Sequence, residues 1–467
     1  MLSTLFRHSK VAALALLAVA ALLSGLGCKG GDPAAQQILN QQIKLTYWRV
    51  FDDPSSLDDV INAYRSSHPN VTVEQKIIRY EDFELELLNA LAEDRGPDLF
   101  SIHNTWVTKY QGKILPMPQK LRIPIVTTTG DIKRERKALI QETNTPTIPQ
   151  LKDVFVSVVT EDVVREGRVL GLPLAVDTLA LLYNRDLLNQ AGVAEPPRTW
   201  AEIKEASKKL TLQDANGNIV RSGIALGGSA NINRAADIIS LLMMQNGAEM
   251  TNGPYGEAIF SKVPKYIQDS NYRPGLEAVR FYTDFANPQK EVYTWNETFP
   301  ESVYSFLQWK TAMILAYSYQ LPFIRAQAPK LDFGVIPVPH ITPERLDAIG
   351  KEINFANYWV EVVSKKTAHP EIAWDFLLFA TGKEGARMYL KKTGRPTALR
   401  SLVNEQLSDP TLNVFASQVL TAKSWYRGRE PQLVEQYFKN MVELVLGGIM
   451  TLEDAVKHTE GRVNETY

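Results

Sequence analysis

Two hydrophobic periods alternate along the first quarter of the chain. "IKLTYW" from Ile43 and "VTVEQKII" from Val71 alternate or run apolar as strands do. "SSLDDVINAYRSSHP" and "EDFELELLNALAED" repeat apolar residues at helical spacing. After the break at "RGPD", "LFSI" adds a third apolar strand. Strand, helix, strand, helix, strand predicts a parallel α/β sheet, and pockets in such sheets open at the carboxyl ends of the strands. The loops that follow the three strands, "RVFDD", "RYED" and "HNTW", are therefore candidate pocket walls.

Residues 117–153 mix prolines, threonines and a basic cluster without a sustained period, which predicts an insertion carrying one helix around "DIKRERKALIQE". The acids among its basic residues favour a solvated face over a phosphate or membrane patch. Beyond it, "GRVLGLPLAVDTLALLYNRDLL" regains strand character, and Thr199 with Glu202 three residues later predicts a capping box. "TLQDANGNIVRSGIALGG" predicts a turn and hairpin, and "RAADIISLLMMQNGA" a helix closed at Gly247. Helices over "PGLEAVRFYTDFAN" and "ETFPESVYSFLQWK", strands over "TAMILAY" and "FGVIPVP", and further helices from residue 371 through the tail complete an α/β chain.

Composition narrows this picture. A hydrophobic fraction of 45% with 22% charged residues is a globular balance, and 467 residues are enough for two or three domains. A formal net charge of −1 lacks the basic excess of a nucleic-acid binder. The N-terminus carries Arg7, His8 and Lys10 before an apolar run over residues 11–23 that ends in small residues. That is the layout of a secretory signal, and it is too short for a bilayer-spanning helix, which needs about 20 residues. Cys28, the one cysteine, follows directly and has no partner for a disulfide within the chain. Its placement is similar to the lipobox of bacterial lipoproteins. The alternative is an ordinary cleaved signal with an incidental cysteine. On the first reading residues 1–27 are a signal peptide, Cys28 is the lipidated first residue, and residues 28–42 are a flexible tether.

Catalytic and cofactor motifs do not emerge. The six histidines show no metal-ligand spacing, and neither H-E-x-x-H nor a phosphate loop occurs. "GGSAN" lacks the second glycine of a nucleophile elbow. "DANGN" has Ala225 where a calcium loop needs glutamate, so it predicts a turn. No metal and no cofactor is expected.

"GPDLFSIHNTW", "VLGLPLAVDTLALLYNRDLLNQAGVAEPPRTWAEI", "KTAMILAYSY", "DFGVIPVP" and "AHPEIAWDFLLFATGKEGARMYL" follow one another in an order that resembles the family 1 extracellular solute-binding proteins of bacterial ABC importers, the group of maltose-binding protein. The resemblance spans about residues 43–460. Trp309, where the family commonly has glycine, and "SWYRGRE" at 424–430 depart from it. It implies the type II periplasmic-binding-protein fold, with two discontinuous lobes joined by a hinge. Lobe one would be residues 43–175 and 358–405, and lobe two residues 176–357 and 406–467, with crossings at "LAVDT", "NFANYW" and near 405–412. It also implies a carbohydrate bound in the interlobe cleft and passed to ABC permease subunits by a monomer tethered to the membrane through Cys28, facing the periplasm or cell exterior.

By position in the family, Asp52, Asn104, Asp177 and Asn231 would supply polar contacts to the sugar, and Trp106, Trp295, Tyr319, Trp359 and Trp425 the aromatic platforms; Tyr80 is a further candidate because it follows the second strand. A sugar needs both, because its hydroxyls require hydrogen-bond partners and its C–H faces stack on rings. Asp52 has a competing role as the cap of the helix beginning near Ser55. Trp48, Trp200 and Trp374 are read as core, and His103 as a hydrogen-bond donor at a strand end. A secreted glycoside-active enzyme and a sensor or adhesin lipoprotein fit the same features.

Overall fold

A computed structural model describes residues 32–129, 135–269, 271–341 and 352–467. The signal peptide and Cys28 lie outside the described residues.

The chain builds two lobes with separate hydrophobic cores. In the first, the strands Ile43–Val50, Val71–Ile78 and Leu99–His103 are parallel, as the alternating periods imply. Trp359–Val363 then closes the sheet antiparallel to Leu99–His103, which places Trp359 opposite His103. Strand Ile43–Val50 sits between two parallel neighbours, so its far end delivers residues 49–52 to the same rim as His103 and Trp359. The second lobe centres on Ala180–Asn184, flanked antiparallel by Met313–Ala316 and Phe333–Pro337. Around it pack the capped helix Trp200–Leu210 and the wholly buried helix Ala235–Gln245. The capping box at Thr199 and Glu202 is present, and Gly247 leaves the buried helix at a φ of +95°, where glycine carries no Cβ penalty.

Short strands mark the passage between lobes. Asp177–Thr178 pairs antiparallel with Asn354–Asn357, which pairs parallel with Ala422–Lys423. Core membership changes across each: Val176 belongs to the first core and Leu179 to the second, Phe355 to the second and Ala356 to the first. The third passage weaves. Val403 packs in the first core, Phe415 in the second, Val419 and Ala422 in the first again, and Trp425 in the second. Assigning residues 406–467 wholly to the second lobe is therefore too simple.

Two further expectations are corrected. The helix expected around "DIKRERKALIQE" lies partly outside the described residues, and its described part is a strand, Glu135–Asn144, paired antiparallel with Lys120–Thr129. β-Branched residues in "IPIVTTT" favour an extended partner strand, and pairing outweighs the helical propensity of the charged strand. Within the expected flexible tether, Pro33–Asn40 forms a helix, capped by Asp32, whose backbone N–H donates to Ala138 O of the strand Glu135–Asn144 at 2.8 Å.

Candidate functional site

Between the lobes lies a cavity of about 350 Å³, lined from the first lobe by residues 49–52, Tyr80, His103, Trp359, Tyr389 and Arg395, and from the second by Asn233, Arg234, Tyr319 and Gln320. Asp177 and Asn357, on the crossing strands, also line it.

Aromatic rings form one wall. Phe51 is 60% exposed and stacks on Tyr80 with ring centres 5.4 Å apart and planes at 19°. Trp359 meets both rings edge-on, at 5.8 and 6.3 Å. Across the cleft Tyr319 stacks on the buried Tyr317 at 5.7 Å. Burial pushes the Tyr319 hydroxyl up to about 12, so it remains protonated. Phe51 holds its position with a φ of +67°, a backbone region that non-glycine residues seldom occupy.

The charged groups are already matched. Asp52 receives Arg49, Arg395 at 2.7 Å and the Tyr389 hydroxyl at 2.8 Å. Burial alone would raise its pKa, but the two guanidinium groups and the tyrosine outweigh burial and hold the carboxyl below its usual range. Arg234 forks onto Asp237, with both bonds at 2.8 Å, and onto Glu435 at 3.0 and 3.1 Å. Each guanidinium on the cavity wall thus faces a carboxylate. His103 differs: its Nδ1 lies 2.8 Å from Thr105 Oγ1 and accepts from the Thr105 N–H at 3.4 Å, which leaves Nε2 to carry the ring proton. Nε2 is buried without a protein partner. Burial, aided by Arg234, pushes the His103 pKa down and keeps the ring neutral.

Of the ten ligand contacts inferred from sequence, Asp52, Tyr80, Asp177, Tyr319 and Trp359 line this cavity. Capping of the turn at Pro54 falls to Asp53, whose Oδ1 accepts from the Ser55 N–H at 2.8 Å, so Asp52 is free of that role. Asp177 is present but engaged. Its oxygens accept from the N–H groups of Thr178 at 2.9 Å, Ser318 at 3.1 Å and Tyr319 at 3.2 Å, and from the Ser318 hydroxyl at 2.7 Å. Its structural work is to hold the turn that presents Tyr319.

The other five lie elsewhere. Trp106 is buried, stacked on Tyr110 and set edge-on behind Trp359 at 5.8 Å. Asn104 is buried and donates to Asp162 at 2.9 Å. Asn231 takes the Trp295 indole N–H at 2.8 Å and donates to the carbonyls of Asn296 and Phe299. Trp295 is fully buried, stacked on Phe299 at 4.7 Å. Trp425 lines only a side cavity of about 40 Å³ and donates to Ser240 Oγ at 3.0 Å. In this arrangement the five side chains pack or brace, because each is buried or hydrogen-bonded within the protein away from the main cavity. Phe51, Arg234 and Arg395 were missed. For Phe51 the signal was present, an aromatic residue inside the strand-end loop "RVFDD"; Arg234 and Arg395 follow no strand and carry none.

Two α/β lobes joined by crossing strands, with a cavity walled from both sides, define the bilobed fold of solute receptors. The model of the bacterial extracellular solute-binding protein family matches residues 50–387, and the chain belongs to that family. The maltotriose-binding protein of Pyrococcus abyssi is 24% identical over 376 residues, covering 76% of this chain and 66% of that one. The sn-glycerol-3-phosphate-binding periplasmic protein of Yersinia enterocolitica is 26% identical over 301 residues, covering 62% and 63%. In these alignments the chain spans less than two thirds of the length of the curated relatives it matches. Among solved structures, the cyclic α-maltosyl-1,6-maltose binding protein from Arthrobacter globiformis superposes with a TM-score of 0.67 at 18% identity over 91% of this chain and 98% of that one. The Listeria monocytogenes substrate-binding protein in complex with cycloalternan gives 0.67 at 17% identity over 91% and 99%. At such identities the likeness is one of fold.

Proposed function

We propose that the chain is the receptor of an ABC importer for a small neutral saccharide, held to the membrane by a lipid on Cys28. The observation that carries the ligand class is the cavity wall: three mutually packed rings, Phe51, Tyr80 and Trp359, oppose Tyr319 from the other lobe. Rings on both sides suit the two apolar faces of a pyranose. A phosphate-bearing ligand of the kind named for the Yersinia relative would need an unpaired cation, and Arg49, Arg234 and Arg395 are each engaged by a carboxylate. A volume of about 350 Å³ is at the low end of small-molecule sites, which favours a mono- or disaccharide over a long glucan. Asp52, Tyr80, Tyr319 and Trp359 are the assigned contacts, with Phe51 and His103 added. Asp177 acts by holding Tyr319 in place, and Trp106 by bracing Trp359. The ligand closes the lobes by touching both, and the closed form docks on separate permease subunits.

A thermal-shift screen of neutral saccharides, polyols and glycerol 3-phosphate tests this reading. A saccharide that raises the melting temperature supports it; a response to glycerol 3-phosphate alone rejects it. Mass spectrometry of the membrane-extracted protein tests the anchor, which predicts a diacylglyceryl modification on Cys28.

A further inference from the structure

The segment "SWYRGRE", which departs from the family wording, lies beside the cavity and ties the lobes together without any ligand. Trp425 and Tyr426 pack in the second core. The next residue, Arg427, leaves that core, and its buried guanidinium donates to Asp162 Oδ1 at 3.0 Å and to the Glu161 carbonyl at 3.1 Å. Asp162 belongs to the helix Ser157–Val163, whose Val158, Val159 and Val163 are in the first core. The Arg427 carbonyl in turn accepts from Thr108 Oγ1 of the first lobe at 2.7 Å.

Two more contacts repeat the pattern. Gln432, at the start of the helix Pro431–Leu446, is gripped at both ends of its amide by an ion pair of the first lobe. Nε2 donates to Glu84 Oε2 at 2.8 Å and Oε1 accepts from Lys109 Nζ at 3.2 Å. Lys109 and Glu84 are themselves 2.7 Å apart. Tyr255, from a loop between core residues Met250 and Phe260 of the second lobe, donates its hydroxyl to the Val164 carbonyl at 2.5 Å. Arg165 donates to the same hydroxyl at 3.0 Å, with its guanidinium carbon 4.6 Å from the ring centre. None of these residues lines the main cavity. Bonds to charged partners are stronger than neutral ones, and all three sites bridge bodies that must separate for the cleft to open.

We infer that Arg427, Gln432 and Tyr255 form an interlobe clasp that populates the closed, binding-competent arrangement before any ligand arrives. These are positioning residues: they set the fraction of receptor ready to bind and touch nothing bound. Apparent Kd is the intrinsic value divided by that fraction, so a fall in closed fraction from about one half to about one tenth weakens binding roughly fivefold with every ligand contact intact.

Spin labels on exposed positions of the two lobes, Lys392→Cys and Ala326→Cys in a Cys28→Ser background, read the separation by pulsed electron resonance in ligand-free protein. The expected result is a dominant short-distance population in the unsubstituted clasp and a shift to longer distances in Arg427→Ala. The double variant Gln432→Ala with Tyr255→Phe removes only contacts outside both cores, so it reports even if Arg427→Ala does not fold. It should shift in the same direction. Identical distance distributions with and without the double substitution overturn the clasp. The measurement contains no saccharide, so an error in the proposed ligand leaves its outcome unaffected.

Discussion

Phe51 sits where two local preferences are violated at once. Its backbone is in the left-handed region, of order 1–3 kcal/mol unfavourable for a residue with a side chain, and its ring is largely in solvent. Such a residue persists when its neighbours hold it, here by stacking on Tyr80 and edge contact with Trp359. The arrangement gives a ligand a platform already in place. Phe51→Ala is expected to weaken saccharide affinity roughly 3- to 10-fold, the range of a single aromatic contact. The melting temperature of the free protein should fall slightly, because alanine keeps the backbone penalty and loses the ring contacts; calorimetric titration and a melting curve read the two separately. His103 offers the converse case, a buried donor with no partner in the protein. In His103→Gln the amide can supply an N–H to a ligand hydroxyl, whereas His103→Ala cannot. The first should retain most of the affinity and the second lose roughly fivefold, near the ~1 kcal/mol of a typical hydrogen bond. Equal affinities in the two variants would remove His103 from the site.

At the scale of elements, the crossing strand and the turn it meets give Asp177 a structural role that its position alone does not show. Asp177 was legible as a polar residue at the lobe crossing, and it lines the cavity. Only the fold reveals that the Ser318–Gln320 turn supplies it with donors from both backbone and side chain. Asp177→Ala is therefore expected to lower stability by about 1–3 kcal/mol, because it leaves buried donors unpaired, in addition to weakening binding. An unchanged melting temperature would contradict that role. Thr199→Ala, which removes a capping box far from the cavity, should cost about 1 kcal/mol with affinity unaltered.

The same scale explains what was readable. Parallel strands, helix caps and glycine stops leave local periodicities, and these survive in the structure. The strand Glu135–Asn144 was not legible, because its charged half carries helix-forming residues and only its pairing with Lys120–Thr129 reveals its state. Of the ten residues named from sequence, five line the cavity: Asp52, Tyr80 and Tyr319 follow a strand, whereas Asp177 and Trp359 open one. Trp295, Asn231 and Trp425 were placed by family position, and their side chains satisfy one another or the core instead. Arg234 and Arg395 reach the cavity from loops at helix ends, a placement that no local pattern encodes.

For the whole molecule, charge balance across the cleft governs behaviour with pH and salt. Asp52 has a folded-state pKa below its unfolded value, so the stability it contributes is present above about pH 4 and is lost as pH falls through the folded value. Melting temperatures measured from pH 7 down to 3 should show that acid-side loss, and Asp52→Asn should flatten it. With the guanidinium groups of the cavity occupied by carboxylates, a neutral guest gains nothing from long-range attraction and an anionic one meets no unpaired cation, whereas a site that did hold an anion by charge would be weakened by salt.

Calorimetric titration of the protein with a mono- or disaccharide at low and at high ionic strength therefore addresses the central claim most directly. A neutral sugar accommodated between Phe51, Trp359 and Tyr319 should bind with the same Kd at both salt concentrations. Absence of heat with every neutral sugar, together with salt-weakened binding of glycerol 3-phosphate, would contradict the account.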